Sequence, residues 1–119
     1  MTLTSLLYVE DTEIWRKRVS ESLREILGIK VDTADSYSSG KSLLDSNGYD
    51  LVISDGLEGE CFRFVREANL PKDKLVIFSS STIIRSEAKT EGIKFYDKDH
   101  FETYESFAEA IRGNFLDTK

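Results

Sequence analysis

Two hydrophobic patterns alternate along this chain, and the alternation restricts its possible folds more than any other feature. Short apolar runs rich in β-branched and aromatic residues are too short for helices, and they predict buried strands. These runs are Ser5–Val9, Leu51–Ile53 and Leu75–Phe78. Two further segments, Ile29–Thr33 and Ile93–Tyr96, carry polar residues between the apolar ones, which predicts strands at the edges of a sheet.

Between these strands, apolar residues recur at helical spacing. The first predicted helix carries Trp15, Val19 and Leu23 on one face, and Gly28 is suited to end it. A third helix is predicted over 61–68, and segments 38–46 and 82–91 have shorter helical patterns. The last predicted helix has the following apolar residues on one face: Phe101, Tyr104, Phe107, Ala108, Ile111 and Phe115.

Five strand–helix units in this order predict an α/β fold of the flavodoxin-like (βα)5 type. Alternation of strands and helices gives a parallel sheet with helices on both faces, joined by right-handed crossovers. Continuously apolar strands belong in the centre, and alternating strands at the edges. The predicted strand order is therefore 2-1-3-4-5. We predict one domain over residues 1–119, since the length allows a single core.

Composition and charge narrow the range of partners. The net charge of −6 and the sequence pI near 4.8 argue against nucleic acid or an anionic membrane as a direct partner. One cysteine rules out a disulfide within the chain and suits a reducing compartment. No apolar stretch approaches the roughly 20 residues that span a bilayer. We therefore predict a cytoplasmic location.

Acidic residues follow the first and third predicted strands. Glu10 and Asp11 come directly after the first strand, and Asp55 ends the third. In open α/β sheets, ligands bind beyond the carboxyl ends of the strands, and these two strands are predicted neighbours. Three carboxylates at one point repel each other unless a cation holds them. Oxygen ligands alone indicate a hard cation, and Mg²⁺ is the natural choice.

The ends of the fourth and fifth predicted strands supply groups that suit a phosphoryl group. Lys98 brings a positive charge after the fifth strand, and Ser79, Ser80 and Ser81 bring hydroxyl groups after the fourth. Phosphoryl transfer needs charge stabilisation on the peripheral oxygens more than it needs covalent assistance. A carboxylate oxygen of Asp55 can act as the nucleophile and form an acyl phosphate.

On these residues the chain resembles the receiver domains of two-component response regulators, over its whole length. The family's acidic pair matches Glu10 and Asp11, with Asp11 the more direct metal ligand. Its phosphoacceptor matches Asp55. The resemblance implies a third protein ligand for Mg²⁺ from the main chain of Leu57. The lysine of the family matches Lys98.

The resemblance also implies the switch residues. The hydroxyl residue that ends the fourth strand matches Ser79, with Ser80 left open by the run of three serines. The aromatic residue three positions before the lysine matches Phe95, which lacks a hydroxyl group. The implied function is a switch that accepts a phosphoryl group from a histidine kinase or phosphotransfer protein. The domain would then shift its surface of helix 4, strand 5 and helix 5 toward an unknown downstream partner, without turning over a free substrate.

The sequence also departs from the family pattern. The usual Met-Pro pair after the phosphoacceptor is absent, since Gly56 and Leu57 follow Asp55. The usual proline after the lysine is replaced by Asp99. The loop after Asp55 or the third helix is expected to be short, and so is the fourth helix. The alternative hypothesis is therefore a pseudo-receiver, an interaction module with the same fold that is never phosphorylated.

Two residue patterns have other interpretations. Asp11 taken alone would suit the N-cap of helix 1, since aspartate is a preferred cap. Gly40, Lys41 and Ser42 match the end of a phosphate-binding P-loop, but position 35 is aspartate where that motif needs glycine. We therefore predict no nucleotide site there.

Overall fold

The computed structural model describes residues 3–116 and contains one five-stranded parallel sheet. The strands are β1 (Ser5–Val9), β2 (Lys30–Ala34), β3 (Leu51–Asp55), β4 (Leu75–Ser79) and β5 (Lys94–Asp97). Their order is β2-β1-β3-β4-β5, which confirms the predicted topology and both predicted edge strands. The two edge strands each begin one residue later than predicted. The ends of the predicted domain, residues 1 and 119, lie outside the described residues.

Helices connect the strands on both faces. They are α1 (Glu13–Leu27), α2 (Tyr37–Ser46), α3 (Cys61–Glu67), α4 (Thr82–Glu91) and α5 (Tyr104–Ile111). Short 3-10 turns occupy Leu57–Gly59, Lys72–Lys74 and Lys98–His100, and a π-helical turn, Arg112–Leu116, follows α5. The third helix has seven residues, so its predicted shortness is confirmed. Within residues 3–116, no helix is both long and apolar enough to cross a membrane.

Local capping explains several helix boundaries. Gly28 takes a left-handed backbone conformation with φ of 65° and ends α1, as predicted. The N-cap of α1 is Thr12, so the alternative that Asp11 caps this helix is wrong. The Ser81 side chain accepts a hydrogen bond from the backbone N–H of Ile84 and caps α4. These caps leave Asp11 outside the helix, where its carboxylate is available to the adjoining strand ends.

The predicted start of the last helix was too early. Thr103 and Ser106 form a reciprocal capping box, so α5 begins at Tyr104. Phe101 follows the turn that contains Lys98 and is not part of the helix. It still packs against the core, and its ring centroid lies 5.5 Å from that of Phe107. The helical spacing of apolar residues included Phe101 because a residue can pack against the core without belonging to the helix.

The sheet separates two hydrophobic clusters, because successive strand residues point to opposite faces. One cluster packs beneath α1 and α5, and includes Tyr8, Phe78 and Phe107. Phe78 and Phe107 stack with ring centroids 3.8 Å apart. The other cluster packs beneath α2, α3 and α4, and includes Phe64 and the fully buried Cys61. Every residue of β3 and β4 is buried, as expected for central strands.

Gly40 has a packing role within α2. A Cβ atom at this position would approach Cε1 of Phe64 to 2.8 Å and Cγ2 of Val9 to 3.1 Å. The glycine therefore lets α2 lie close to the sheet and to α3. The Gly-Lys-Ser segment lies within this helix.

Candidate functional site

Three carboxylates meet at the carboxyl edge of the sheet. Strands β1 and β3 pair in parallel with Val9 opposite Ser54, so the residues that follow them emerge side by side. Oxygen atoms of Glu10, Asp11 and Asp55 all lie within 4.8 Å of one another. The structure thus brings together the three acidic residues that the sequence placed at one site, which we call the acidic cluster.

Lys98 closes one side of the acidic cluster. Its Nζ donates hydrogen bonds to Oδ1 of Asp55 at 2.7 Å and to Oε1 of Glu10 at 2.9 Å. The lysine side chain is only 11% exposed, so these ion pairs are largely shielded from solvent. Burial acts to lower the pKa of Lys98, but Asp55 and Glu10 outweigh it, and the pKa is raised. The ammonium is therefore charged at neutral pH.

Glu10 is fully buried, and both of its carboxylate oxygens have partners. Oε1 accepts hydrogen bonds from Lys98 and from the Tyr8 hydroxyl at 2.8 Å, and Oε2 accepts one from the Thr12 N–H at 3.3 Å. Burial, followed by the Asp55 charge, raises the pKa of Glu10. Burial and Glu10 also raise the pKa of Tyr8 well above its usual value. Glu10 is thus held by the protein itself.

Sequence reasoning did not identify Tyr8 as part of the site. It lies two positions before Glu10, and side chains at that spacing share one face of a strand. Tyrosine hydroxyls usually find a partner when they are buried, as this one does. The combination of a strand tyrosine and an acidic residue two positions later was the available signal.

Asp11 is the exposed member of the acidic cluster. Partial burial, followed by interaction with Asp55, raises the pKa of its carboxyl group. Its Oδ1 accepts one long contact, 3.4 Å, from the Thr12 hydroxyl. Asp11 thus has more free ligand positions than Glu10. Oxygen donors at this separation are of the kind that a hard divalent cation such as Mg²⁺ prefers. The roles of Asp11, Asp55 and Glu10 as its ligands stay a prediction.

The loop after Asp55 has an unusual backbone. Leu57 and Glu58 take positive φ angles of 50° and 54°, a left-handed conformation that is uncommon for residues with side chains. The Leu57 N–H donates to Oδ2 of Asp55 at 3.2 Å and so orients the carboxylate. The Leu57 carbonyl accepts a hydrogen bond from the Glu60 N–H at 3.0 Å. Its role as a third metal ligand stays a prediction.

Ser79 and Ser80 occupy different environments. Ser79 ends β4 and is buried, whereas Ser80 is exposed. Ser79 lines the same cavity of about 450 Å³ as Asp55 and Asp11. Its Oγ accepts a hydrogen bond from the Ser81 N–H at 3.1 Å, which leaves the hydroxyl hydrogen free to donate. The geometry therefore favours Ser79 as the hydroxyl that faces the cluster.

Phe95 lies away from the acidic cluster. It is half-buried and packs against the hydrophobic cluster beneath α4. It lines a cavity of about 750 Å³ between α4 and β5, together with Arg85 and Lys89. The structure thus places this predicted switch residue on the α4–β5 surface and not among the carboxylates.

The sequence placed Trp15 on the apolar face of the first predicted helix. In the structure its ring centroid lies 4.6 Å from Nζ of Lys98. The ring also contacts Phe78 and Tyr104 edge to face. Trp15 therefore belongs to the wall of the candidate site, which the spacing along α1 alone did not indicate.

Among the comparisons with known proteins, only similarity to solved structures supports the fold. No family model matches the sequence, and no curated protein matches it. Among solved structures, the chemotaxis response regulator CheY4 of Vibrio cholerae matches with a TM-score of 0.77 at 22% identity. That match covers 96% of this chain and 100% of the other. The receiver domain of the Francisella response regulator 1452 matches with a TM-score of 0.71 at 19% identity, covering 98% and 99% of the two chains.

A third similar structure is an atypical orphan response regulator, described as having a phosphorylation-independent regulatory mechanism. It matches with a TM-score of 0.76 at 17% identity, and the match covers 97% of this chain and 98% of that one. These structures share the five-stranded sheet order and cover nearly the whole chain. The chain therefore has the fold of the response-regulator receiver domain.

Proposed function

We propose that this domain is a signalling switch controlled by phosphorylation of Asp55. The proposal rests on the arrangement of charged side chains around the Asp55 carboxylate. One of its oxygens is held by the Lys98 ammonium at 2.7 Å, and carboxylate oxygens of Glu10 and Asp11, which follow the neighbouring strand β1, lie within 4.8 Å. An interaction module would need only the fold and would have no use for this buried and costly set of charges.

The proposed chemistry is phosphoryl transfer from a phosphohistidine of a histidine kinase or phosphotransfer protein. An oxygen of Asp55 attacks phosphorus as the P–N bond to the imidazole breaks, and the imidazole leaves with a proton from solvent. Lys98 and the Ser79 hydroxyl stabilise the phosphoryl oxygens in the product. Mg²⁺, held by Asp11 and Asp55 with the Leu57 carbonyl, would neutralise charge on the phosphoryl group. Hydrolysis of the acyl phosphate later restores the carboxylate and releases inorganic phosphate.

The phosphoryl group changes which contacts are favourable at the site. It adds negative charge and acceptor oxygens beside Lys98 and Ser79. Movement of these two side chains would alter the adjoining surface of α4, β5 and α5, where Phe95 lies. The effect is a population shift between two surface arrangements that bind a downstream protein differently. The net charge of −6 supports a protein partner over nucleic acid, and a cytoplasmic setting suits a kinase partner.

A pseudo-receiver is the second candidate function, and two observations favour it. The Leu57 carbonyl is already hydrogen-bonded to the Glu60 N–H, so it is not dedicated to a metal. One of the similar structures is described as regulated without phosphorylation. In this alternative, Lys98 stays paired with Asp55 and Glu10, and the domain acts through a fixed surface.

A titration with Mg²⁺ and beryllofluoride separates the two functions. Beryllofluoride mimics an acyl phosphate on an aspartate, and Trp15 fluorescence and amide NMR report on binding. The switch predicts saturation that requires Mg²⁺, with amide shifts reaching β5 and α5. Phosphoramidate should also label the domain, and Asp55→Asn should abolish that label. Asp73→Asn is the matched control, since Asp73 is exposed in the turn before β4, at the opposite end of the sheet. Absence of any response at saturating Mg²⁺ would establish the pseudo-receiver instead.

A further inference from the structure

The Lys98 ammonium is contacted on a side that neither carboxylate occupies. An ammonium group has three N–H donors, and two of them are accounted for by Asp55 and Glu10. Nζ also lies 4.6 Å from the ring centroid of Trp15 and 5.7 Å from that of Phe78. Cations within about 6 Å of an aromatic face are attracted by the ring quadrupole. The ammonium therefore sits between an anionic wall and an aromatic wall.

The aromatic wall is itself rigid. Phe78 lies on the central strand β4 and is almost fully buried. The ring centroid of Trp15 lies 5.8 Å from that of Phe78 and 5.3 Å from that of Tyr104, with edge-to-face angles of 78° and 86°. Trp15 is thus braced between the sheet and the first turn of α5. A ring held in this way keeps its face at one position relative to Lys98.

The Lys98 side chain needs such support because the backbone around it does not fix the position of the ammonium group. A lysine side chain is flexible and loses considerable rotamer freedom when it is fixed in one geometry. The next residue is Asp99, joined by a trans peptide bond, and the turn Lys98–His100 is held by the Asp97 side chain accepting from the Asp99 N–H. These contacts fix the backbone of the turn. They do not fix the four-carbon stem that carries the ammonium to Asp55.

We propose that Trp15 is a positioning residue that holds the Lys98 ammonium against Asp55 through the face of its indole ring. This inference rests on the proposed function, because it assigns Trp15 a part in binding a phosphoryl group. Trp15 touches neither the phosphoryl group nor Asp55 and acts only through Lys98. Removing the ring face lets the ammonium sample other positions and weakens every step in which it must meet a phosphoryl oxygen.

The test compares Trp15→Leu, which keeps apolar bulk without a π face, with Trp15→Phe, which keeps a ring. Beryllofluoride binding at saturating Mg²⁺ is followed by ¹⁹F NMR, which does not depend on tryptophan. The range of cation–π strengths predicts a loss of affinity of about twofold to thirtyfold for the leucine variant. The phenylalanine variant should recover most of it. In a Lys98→Met background, the same Trp15→Leu change should have no further effect.

A second measurement does not depend on phosphoryl chemistry. The indole face should shift the Cε protons of Lys98 upfield in the proton NMR spectrum, and Trp15→Leu should remove that shift. Equal affinity losses for the leucine and phenylalanine variants, or a loss that persists without Lys98, would mean that Trp15 only packs, and would overturn the inference. Lack of beryllofluoride binding by the parent protein would refute the proposed function, and with it the role of Trp15 in phosphoryl binding. The upfield shift would then still show whether the indole holds the ammonium.

Discussion

Replacing Asp11 by asparagine should stabilise the domain when no divalent cation is present. The carboxylate oxygens of the acidic cluster lie within 4.8 Å of one another, a separation at which two unit charges repel by about 0.9 kcal/mol in water and about 3.5 kcal/mol at an effective dielectric constant near 20. Asp11 is exposed, so the lower value applies to each of its two neighbours. The attraction of Lys98 offsets about one of these repulsions. The expected gain in free energy of unfolding is therefore about 1 kcal/mol.

Mg²⁺ should reverse the order of stability of the parent protein and Asp11→Asn. A cation that binds only the folded state adds about 1.4 kcal/mol to its stability when its concentration is ten times the dissociation constant. The parent protein should gain this amount, whereas Asp11→Asn has lost a charged ligand and should gain much less. The advantage of the variant in metal-free buffer should thus disappear as Mg²⁺ is raised. A variant that merely improved local packing would keep its advantage at every Mg²⁺ concentration.

The pH dependence gives an independent check on the same reasoning. The pKa values of Glu10 and Asp11 are raised in the folded state, so above about pH 4 these two groups bind more protons in the folded protein than in the unfolded chain. This contribution is fully present at low pH and is lost as the pH rises through the raised pKa values. The metal-free parent protein should therefore lose stability toward neutral pH, and Asp11→Asn should lose less.

Urea unfolding followed by far-UV circular dichroism, at pH 5.0 and pH 7.5 with and without Mg²⁺, measures all of these effects. Asp73→Asn makes the same charge change in the exposed turn at the opposite end of the sheet and serves as the control. The reasoning would be refuted if Asp11→Asn were less stable than the parent in metal-free buffer at pH 7.5. It would also be refuted if the control gained as much.

Three other perturbations test the packing and the charges. Lys98→Met leaves two carboxylates without their buried cation and should cost about 3 kcal/mol in urea unfolding, with Mg²⁺ recovering part of the loss. A loss below about 1 kcal/mol would contradict the shielding of this pair. Gly40→Ala should destabilise the protein by about 1 kcal/mol despite the higher helix propensity of alanine, because the new Cβ atom would meet the ring of Phe64. In a Phe64→Leu background, the same Gly40→Ala change should cost less. Burial raises the pKa of Cys61 to about 12, so a thiol reagent at pH 8 should label it only through unfolding; rapid labelling of the folded protein would contradict its burial.

The strand arrangement and the acidic cluster followed from short-range sequence patterns. Continuously apolar runs identified the central strands, and the rule that parallel strands end at one edge of the sheet brought Glu10, Asp11 and Asp55 together. The same rule placed Lys98 and Ser79 at that edge. These inferences need only the period of the pattern and the topology. They do not require knowledge of where a side chain points.

What the sequence did not reveal depends on three-dimensional packing. Tyr8 and Trp15 look like ordinary core residues along their own elements, and only the contacts with Glu10 and Lys98 show them as parts of the site. Position 57 has a left-handed backbone but carries leucine, and not the glycine or asparagine that usually indicates this conformation. The start of α5 depended on a cap at Thr103, which competed with a longer apolar periodicity.

The lack of space for a side chain at Gly56 limits how this domain can be engineered. A Cβ atom there would come within 2.7 Å of the terminal methyl group of Ile84 and within 3.2 Å of Oγ of Ser79. The methyl group is the end of a flexible side chain and can rotate away, whereas the Ser79 hydroxyl lies at the candidate site itself. A loop transplanted after Asp55 that carries a residue other than glycine at position 56 therefore requires the Ile84 side chain to move or to be replaced. The two positions form one exchangeable unit, although they are far apart in the chain.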